Sequence, residues 1–124
     1  GDWVICDRFT DSTYAYQGGG RGMSAALIAQ FEDLTLGDFA PNLTVLLDVP
    51  IAIGLTRAAQ VGAPDRFESE QHAFFERARA IFLNRAQTQK RTQIVDASQS
   101  QSTVKQSVLS LIEQHWLSVQ SDHP

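Results

Sequence analysis

Three short apolar runs punctuate the chain: Trp3 to Cys6, Leu43 to Val49 and Gln93 to Val95, each ending beside an aspartate, Asp7, Asp48 and Asp96. Continuous apolar stretches of this length, without alternation, are the pattern of strands buried in a parallel sheet. Between and after them the spacing becomes helical. Ser24 is placed to cap a helix carrying Leu27, Ile28, Phe31 and Leu34. Pro50, tolerated in a first turn, opens another through Ile51, Ile53, Gly54 and Arg57. A longer helix is predicted from Glu68 to Lys90, with Phe74, Phe75, Ala78, Phe82 and Ala86 on one side. A last one runs from Ser102 to Val119, its stripe formed by Val104, Val108, Leu111, Ile112, His115 and Val119. Strands alternating with helices predict an α/β fold with three parallel strands, as one domain over 1–124. Ligands of such sheets lie beyond the carboxyl ends of the strands, where the three aspartates fall. The tail from Ser121 to Pro124 is expected to fray.

Composition narrows this picture. Apolar residues are 43% of the 124 and charged residues 19%, which describes a globular chain with one core. A net charge of −4 argues against a broad basic face for nucleic acid. Cys6 is the single cysteine, so neither an intramolecular disulfide nor a cysteine-built zinc site can form, in keeping with a reducing cytoplasm. Within its apolar run it reads as a small core residue. No stretch reaches the ~18 apolar residues of a membrane span. Gly1-Asp2-Trp3 is neither basic nor apolar enough to start a signal peptide, and entry into a strand without an initiator Met suggests a protein that begins further upstream. His72, His115 and His123 lack metal-ligand spacing; His115 belongs to a half-buried stripe and the other two read as surface groups.

The chemistry concentrates after the first run. Asp7, at a strand end, is suited to Mg²⁺ beside a phosphate, and Arg8 offers a planar fork of donors for phosphate oxygens. Taken alone the pair fits a structural ion pair equally well. The residues that follow, Asp11-Ser12-Thr13-Tyr14-Ala15-Tyr16-Gln17, gather hydroxyls, an amide and aromatic rings. Such groups can read a base edge or pack against a sugar. Gly18-Gly19-Gly20-Arg21-Gly22 then permits close backbone approach and positive φ.

Together, Asp7-Arg8-Phe9, Ser12-Thr13 and Ala15-Tyr16-Gln17-Gly18-Gly19-Gly20-Arg21-Gly22 closely resemble bacterial thymidylate kinase. The resemblance continues through Gly37-Asp38-Phe39, Pro41-Asn42-Leu43-Thr44, Leu47-Asp48-Val49-Pro50, Gly54-Leu55 with Arg57, Asp65-Arg66 with Glu68, Phe74-Phe75-Glu76-Arg77 and Asp96-Ala97-Ser98-Gln99. It covers nearly the whole chain, in order. It implies a P-loop-kinase-type sheet and transfer of the γ-phosphoryl of ATP to dTMP, with Mg²⁺ required, by a homodimer that binds neither nucleic acid nor membrane. It implies that Arg8 contacts phosphate and that Asp7 sits near phosphates and metal. Thr13 and Gln17 match positions near the thymine ring, and Tyr16 the tyrosine beside the sugar that disfavours a 2′-hydroxyl. Ser12 is a further substrate-side match. The role of Arg21 stays open between ligand contact and anchoring of the glycine loop.

The stretch Gly54 to Arg66 matches the family's lid, where Arg57 and Arg66 would neutralise the moving phosphoryl group. Ala59 and Val61 stand where further basic residues are expected. Ala97 and Ser98 match the loop near the donor's adenine, although a turn before the last helix explains them as well. The 124 residues contain no Gly-x-x-x-x-Gly-Lys-Ser/Thr; neither Lys90 nor Lys105 follows a glycine. In the family that loop comes with the central strand. The expected sheet is therefore partial, the chain alone is expected to be inactive, and its open strand edges predict poor stability unless a partner chain fills the gap. A related deoxynucleotide or deoxynucleoside kinase, or a non-catalytic nucleotide-binding domain, are the rival readings.

Overall fold

The computed structural model describes residues 2–61 and 69–121. They form α1 (Thr10–Thr13), a π-helix (Tyr14–Gly20), α2 (Ala25–Leu36), β1 (Thr44–Asp48), α3 (Ile51–Gln60), α4 (Ser69–Thr88), β2 (Thr92–Asp96) and α5 (Gln101–Ser121). The α/β class read from the sequence holds. The chain divides into two compact units, one from Gly1–Ala40 with Asp65–Arg85, the other from Pro41–Pro64 with Ala86–Pro124.

In the first unit the expected strand at Trp3–Cys6 is absent. An apolar run becomes a strand only when a neighbouring strand takes up its N–H and C=O groups, and the sheet of the described residues holds only Thr44–Asp48 and Thr92–Asp96. Val4 and Ile5 are 85% and 93% exposed, and Cys6 is exposed rather than part of a core. The chain turns at Arg8, which holds a left-handed backbone at φ 69°. That conformation costs a non-glycine residue about 1 kcal/mol or more. The thiol of Cys6 donates to the carbonyl oxygen of Arg8 at 3.1 Å.

The segment that follows is helical, not a turn-rich loop. Residues 14–20 widen into a π-helix, in which the Arg21 N–H donates to Tyr16 O at 3.0 Å. Two nested bonds close it, Gly22 N–H to Gly18 O at 2.7 Å and Met23 N–H to Gln17 O at 2.8 Å. Gly22 makes this reversal at φ 79°, where a side chain would strain the backbone. Gly19 and Gly20 serve packing. A Cβ on Gly20 would lie 2.4 Å from the Phe74 ring, and one on Gly19 2.5 Å from Ile81 and 2.9 Å from the Arg77 carbonyl oxygen. The backbone of this segment thus rests directly on α4.

On α2, Ser24 occupies the cap position without a side-chain hydrogen bond. Only Ile28 of its predicted stripe is buried, at 3% exposure, while Leu27, Phe31 and Leu34 are 42%, 57% and 83% exposed. On α4 the predicted side is covered: Ala78 and Ala86 are buried, and Phe74, Phe75 and Phe82 are half-buried.

In the second unit β1 and β2 pair in parallel, with Thr44 opposite Thr92 and Asp48 opposite Asp96. Val95 is buried, but Leu47 and Ile94 remain 52% and 46% exposed, so the strands are half-covered rather than enclosed. Pro50 stands immediately before α3 and its carbonyl accepts from Ile53 and Gly54. The α5 stripe is half-buried from Val104 to His115 and exposed at Val119. Among the described residues no helix is long and apolar enough to cross a membrane.

Replacing Gly20 with alanine should destabilise the fold by about 1–3 kcal/mol, because the methyl meets an aromatic ring held in a packed layer. Urea denaturation of the variant measures this; an unchanged midpoint would show that α4 yields freely.

Candidate functional site

Within the first unit the structure gathers most of the residues expected on the acceptor side. Phe9 precedes α1 in extended conformation, its carbonyl accepts from Ser12 N–H at 3.0 Å, and its ring meets Phe39 edge-on. Ser12 is half-buried and Thr13 exposed on α1, and Tyr16 and Gln17 are half-buried on the π-helix. Tyr16 stacks on Phe74 with ring centroids 6.1 Å apart and meets Phe82 edge-on at 5.9 Å. Its ring is therefore fixed by two aromatic neighbours from α4. The Arg8 guanidinium lies 5.1 Å from the Tyr16 centroid, a cation–π distance. Fold and contact thus bring together the arginine and the tyrosine that the sequence pattern singles out. Asp7, at the bend before Arg8, is exposed.

Several residues that hold this segment were not singled out from sequence. Arg77 of α4 donates through Nε to Gly19 O at 3.2 Å and through Nη2 to Gly20 O at 3.0 Å. A cation on the last carbonyls of a helix also complements its dipole. Arg85, two turns further on, donates through Nε to Asp11 Oδ1 at 2.7 Å, and its guanidinium lies 3.6 Å from the Tyr14 ring centroid. The Tyr14 hydroxyl in turn donates to Glu32 Oε2 of α2 at 2.6 Å. Burial, and then the bond to Glu32, push the Tyr14 hydroxyl pKa up. Burial alone would raise Glu32, but hydrogen bonds to its carboxylate, Tyr14 Oη among the donors, and the charge of Arg85 outweigh it and hold Glu32 below the ordinary range. From sequence Arg77 enters only within the string Phe74-Phe75-Glu76-Arg77 and Arg85 not at all, since their partners lie 57 to 74 residues away. The i, i+8 spacing of two arginines on the aromatic-bearing helix is the available clue.

In the second unit Arg57, on α3, is brought to the loop after β2. Its Nη1 donates to Ala97 O at 2.5 Å, and its Nη2 to Ser98 O at 2.8 Å and Gln99 O at 3.4 Å. Asp96 organises the same loop: Oδ1 accepts from Ser98 N–H at 2.8 Å and Ser98 Oγ at 2.5 Å, and Oδ2 accepts from Gln99 Nε2 at 3.0 Å. These bonds, the Ser98 hydroxyl's first, with the Arg57 charge adding to them, hold Asp96 below the usual aspartate range. Ala97 N–H donates to Asp48 O at 2.7 Å, continuing the ladder past the strand ends. Arg57, Ala97 and Ser98 thus form one cluster. An open depression of about 390 Å³, lined by Ala52, Ile53, Thr56, Arg57 and Gln60, lies beside it. Arg66, with Asp65 and Glu68, lies outside the described residues. Among those described, no group of three or more His, Cys, Asp or Glu is placed to hold a metal ion.

Comparisons with known proteins point to one family. The thymidylate kinase family model matches residues 1–108. The thymidylate kinase of Pseudomonas syringae pv. tomato is 51% identical over 113 residues, which is 90% of this chain and 54% of that protein. That of Pseudomonas fluorescens is 52% identical over 112 residues, 90% and 53% of the two chains, and that of Alcanivorax borkumensis 47% over 115 residues, 92% and 55%. The α/β fold, with its two-stranded parallel sheet, is consistent with part of a P-loop-kinase-type fold. The chain belongs to the thymidylate kinase family, and it spans about half the length of the curated relatives it matches.

The folded state binds a proton at Asp96 less tightly than an unfolded chain does. The stability this contributes is present above the unfolded aspartate's pKa and is lost as pH falls through the folded one. Carboxyl NMR should give Asp96 a midpoint below the ~3.9 of an unstructured aspartate, and Ser98→Ala should move it upward. A midpoint unmoved by that substitution would separate Asp96 from the loop it is assigned to hold.

Proposed function

We propose that this chain is the acceptor-nucleotide portion of an enzyme that transfers the γ-phosphoryl of ATP to dTMP, giving dTDP. The observation that carries the reading is the Arg8–Tyr16 pairing, 5.1 Å from guanidinium to ring centroid, on a segment seated against α4. In this reading Arg8 takes the thymidylate phosphate, and Tyr16 packs beside the deoxyribose and leaves no room for a 2′-hydroxyl. Thr13 and Gln17 face the thymine, with Ser12 beside them. Phosphoryl transfer is in line and needs no covalent intermediate; positioning and charge neutralisation do the chemistry.

On the donor side the hydrogen bonds from Arg57 to Ala97 and Ser98 support assigning these three to one group near the nucleotide base. Arg66 is proposed as the further lid cation. Mg²⁺, when bound, neutralises charge on the transferring phosphates. Asp7, a single exposed carboxylate, fits a share in holding it, because Mg²⁺ at such sites takes one or two carboxylates together with nucleotide oxygens and water. One family model running through both units supports reading 1–124 as one domain, and the exposed thiol of Cys6 supports a reducing, cytoplasmic setting.

A second reading, a nucleotide-binding domain without catalysis, is favoured by Ala59 and Val61 in the lid. Both readings predict that these 124 residues bind thymidylate without turning it over. Calorimetric titration should rank thymidylate above thymidine, and uridylate weaker by about tenfold or more. Equal affinity for uridylate would refute the acceptor assignment, and steady turnover by chain purified free of host kinase would refute the inactivity. We also propose a homodimer, supported by the apolar α2 residues Leu27, Phe31 and Leu34 left exposed. Light scattering should return twice the 13.7 kDa chain mass, and a monomer at micromolar concentration would remove the proposal.

A further inference from the structure

A four-residue helix running into a π-helix cannot stand unsupported. The π-helix is rare and short-lived as an isolated element, and a single turn recovers too few hydrogen bonds to offset its ordering. The segment Thr10–Gly20 therefore depends on ties from outside itself. Its carboxyl end is tied by Arg77 to Gly19 and Gly20. Its amino end is tied by Arg85, whose side chain is 17% exposed against 13% for Asp11.

Arg85 makes two different contacts there. One is the charge-assisted bond to Asp11, 2.7 Å long, on the residue before Ser12 and Thr13. The other is the guanidinium plane against Tyr14, two residues before Tyr16. Tyr14 passes the restraint to α2 through Glu32 at 2.6 Å. A guanidinium can do both at once because its edge donates while its face stacks, which a lysine cannot reproduce. Ser12, Thr13, Tyr16 and Gln17, the residues assigned to the acceptor, all lie on backbone held between these two ties.

We propose that Arg85 is a positioning residue for the acceptor site: through Asp11 and Tyr14 it fixes the backbone that presents Ser12, Thr13, Tyr16 and Gln17. This rests on the thymidylate reading above. It assigns a ligand-binding role to an arginine that need not touch the ligand, acting through a polar network that links α4, α1 and α2.

The test is a double-mutant cycle read in ligand affinity. Thymidylate is titrated calorimetrically into the wild-type chain, Arg85→Met, Asp11→Asn and the double variant, with urea midpoints measured alongside. Each single variant is expected to weaken thymidylate binding about tenfold, the scale of one lost charge-assisted bond. The double variant is expected to be no more than about twofold weaker than either single one, because both remove the same tie. Arg85→Lys keeps the charge and loses the stack, so it should fall between wild type and Arg85→Met; if Arg85→Met does not fold, this variant with Asp11→Asn carries the cycle. Unchanged thymidylate affinity in a folded Arg85 variant overturns the proposal. So do losses that multiply in the double variant, and so does a fall in the urea midpoint with no loss of affinity. A wild-type chain that fails to bind thymidylate would instead overturn the acceptor reading itself, and this inference with it.

Discussion

The contact on which the first unit depends is the one between the backbone of Gly19 and Gly20 and helix α4. With no room for a Cβ on Gly19 or Gly20, the π-helix backbone and the α4 side chains share one surface. The distance between them is set by van der Waals contact rather than by adjustable side chains. That closeness lets Arg77 reach two carbonyls at the helix end and lets Phe74 and Phe82 pack on Tyr16. The placement of Tyr16, and through it the cation–π contact with Arg8, follows from an absence of side chain three and four residues later. The glycines are thus structural in the strict sense while determining where the residues proposed for the acceptor stand.

The second unit uses a different device. Parallel pairing in register puts Asp48 and Asp96 side by side at the strand ends, and the two then diverge in role. Asp48 contributes its backbone carbonyl to the continuing ladder, whereas Asp96 folds its carboxylate back onto Ser98 and Gln99. The loop this creates turns its carbonyls outward, and a guanidinium from α3 collects three of them. Arg57 and Asp96 act on the same loop from opposite sides of its charge distribution, one on its carbonyls and one on its donors.

Much of this was legible in the sequence. The two paired strands and helices α2, α4 and α5 fall within one or two residues of their predicted spans, since apolar period and turn residues are local signals, whereas α3 runs three residues further and the helical segment Thr10–Gly20 was not predicted. The Trp3–Cys6 run was misread because hydrophobicity records fitness for a ladder and not the presence of a neighbour. Cys6 followed it out of the core. The α2 stripe had the period of a packed face, and Phe31 and Leu34 nonetheless remain exposed. At the site, Arg8, Tyr16 and Gln17 were visible because their chemistry is crowded into a few residues. The pairings of Asp11, Tyr14, Glu32, Arg77 and Arg85 were not, because they join segments far apart in sequence. The same glycine string fits a flexible loop and a close-packed helix equally well, since both need the missing Cβ.

In the proposed reading, acceptor recognition and charge neutralisation are physically separable tasks. The first is written into backbone contacts around α4, which tolerate few changes. The second rests on cations delivered by long side chains, where one substitution removes one charge and leaves the fold unaltered. The proposed lid would fit that distinction: α3 carries Arg57 near its end, Ala59 and Val61 stand where the resemblance leads one to expect further cations, and Val61 is 86% exposed. With its terminal nitrogens on the carbonyls of Ala97 to Gln99, Arg57 serves first as a brace for that loop. A chain can therefore keep a family's acceptor geometry nearly intact while its capacity to stabilise a moving phosphoryl group is reduced. Strong sequence identity to a kinase carries the first property more securely than the second.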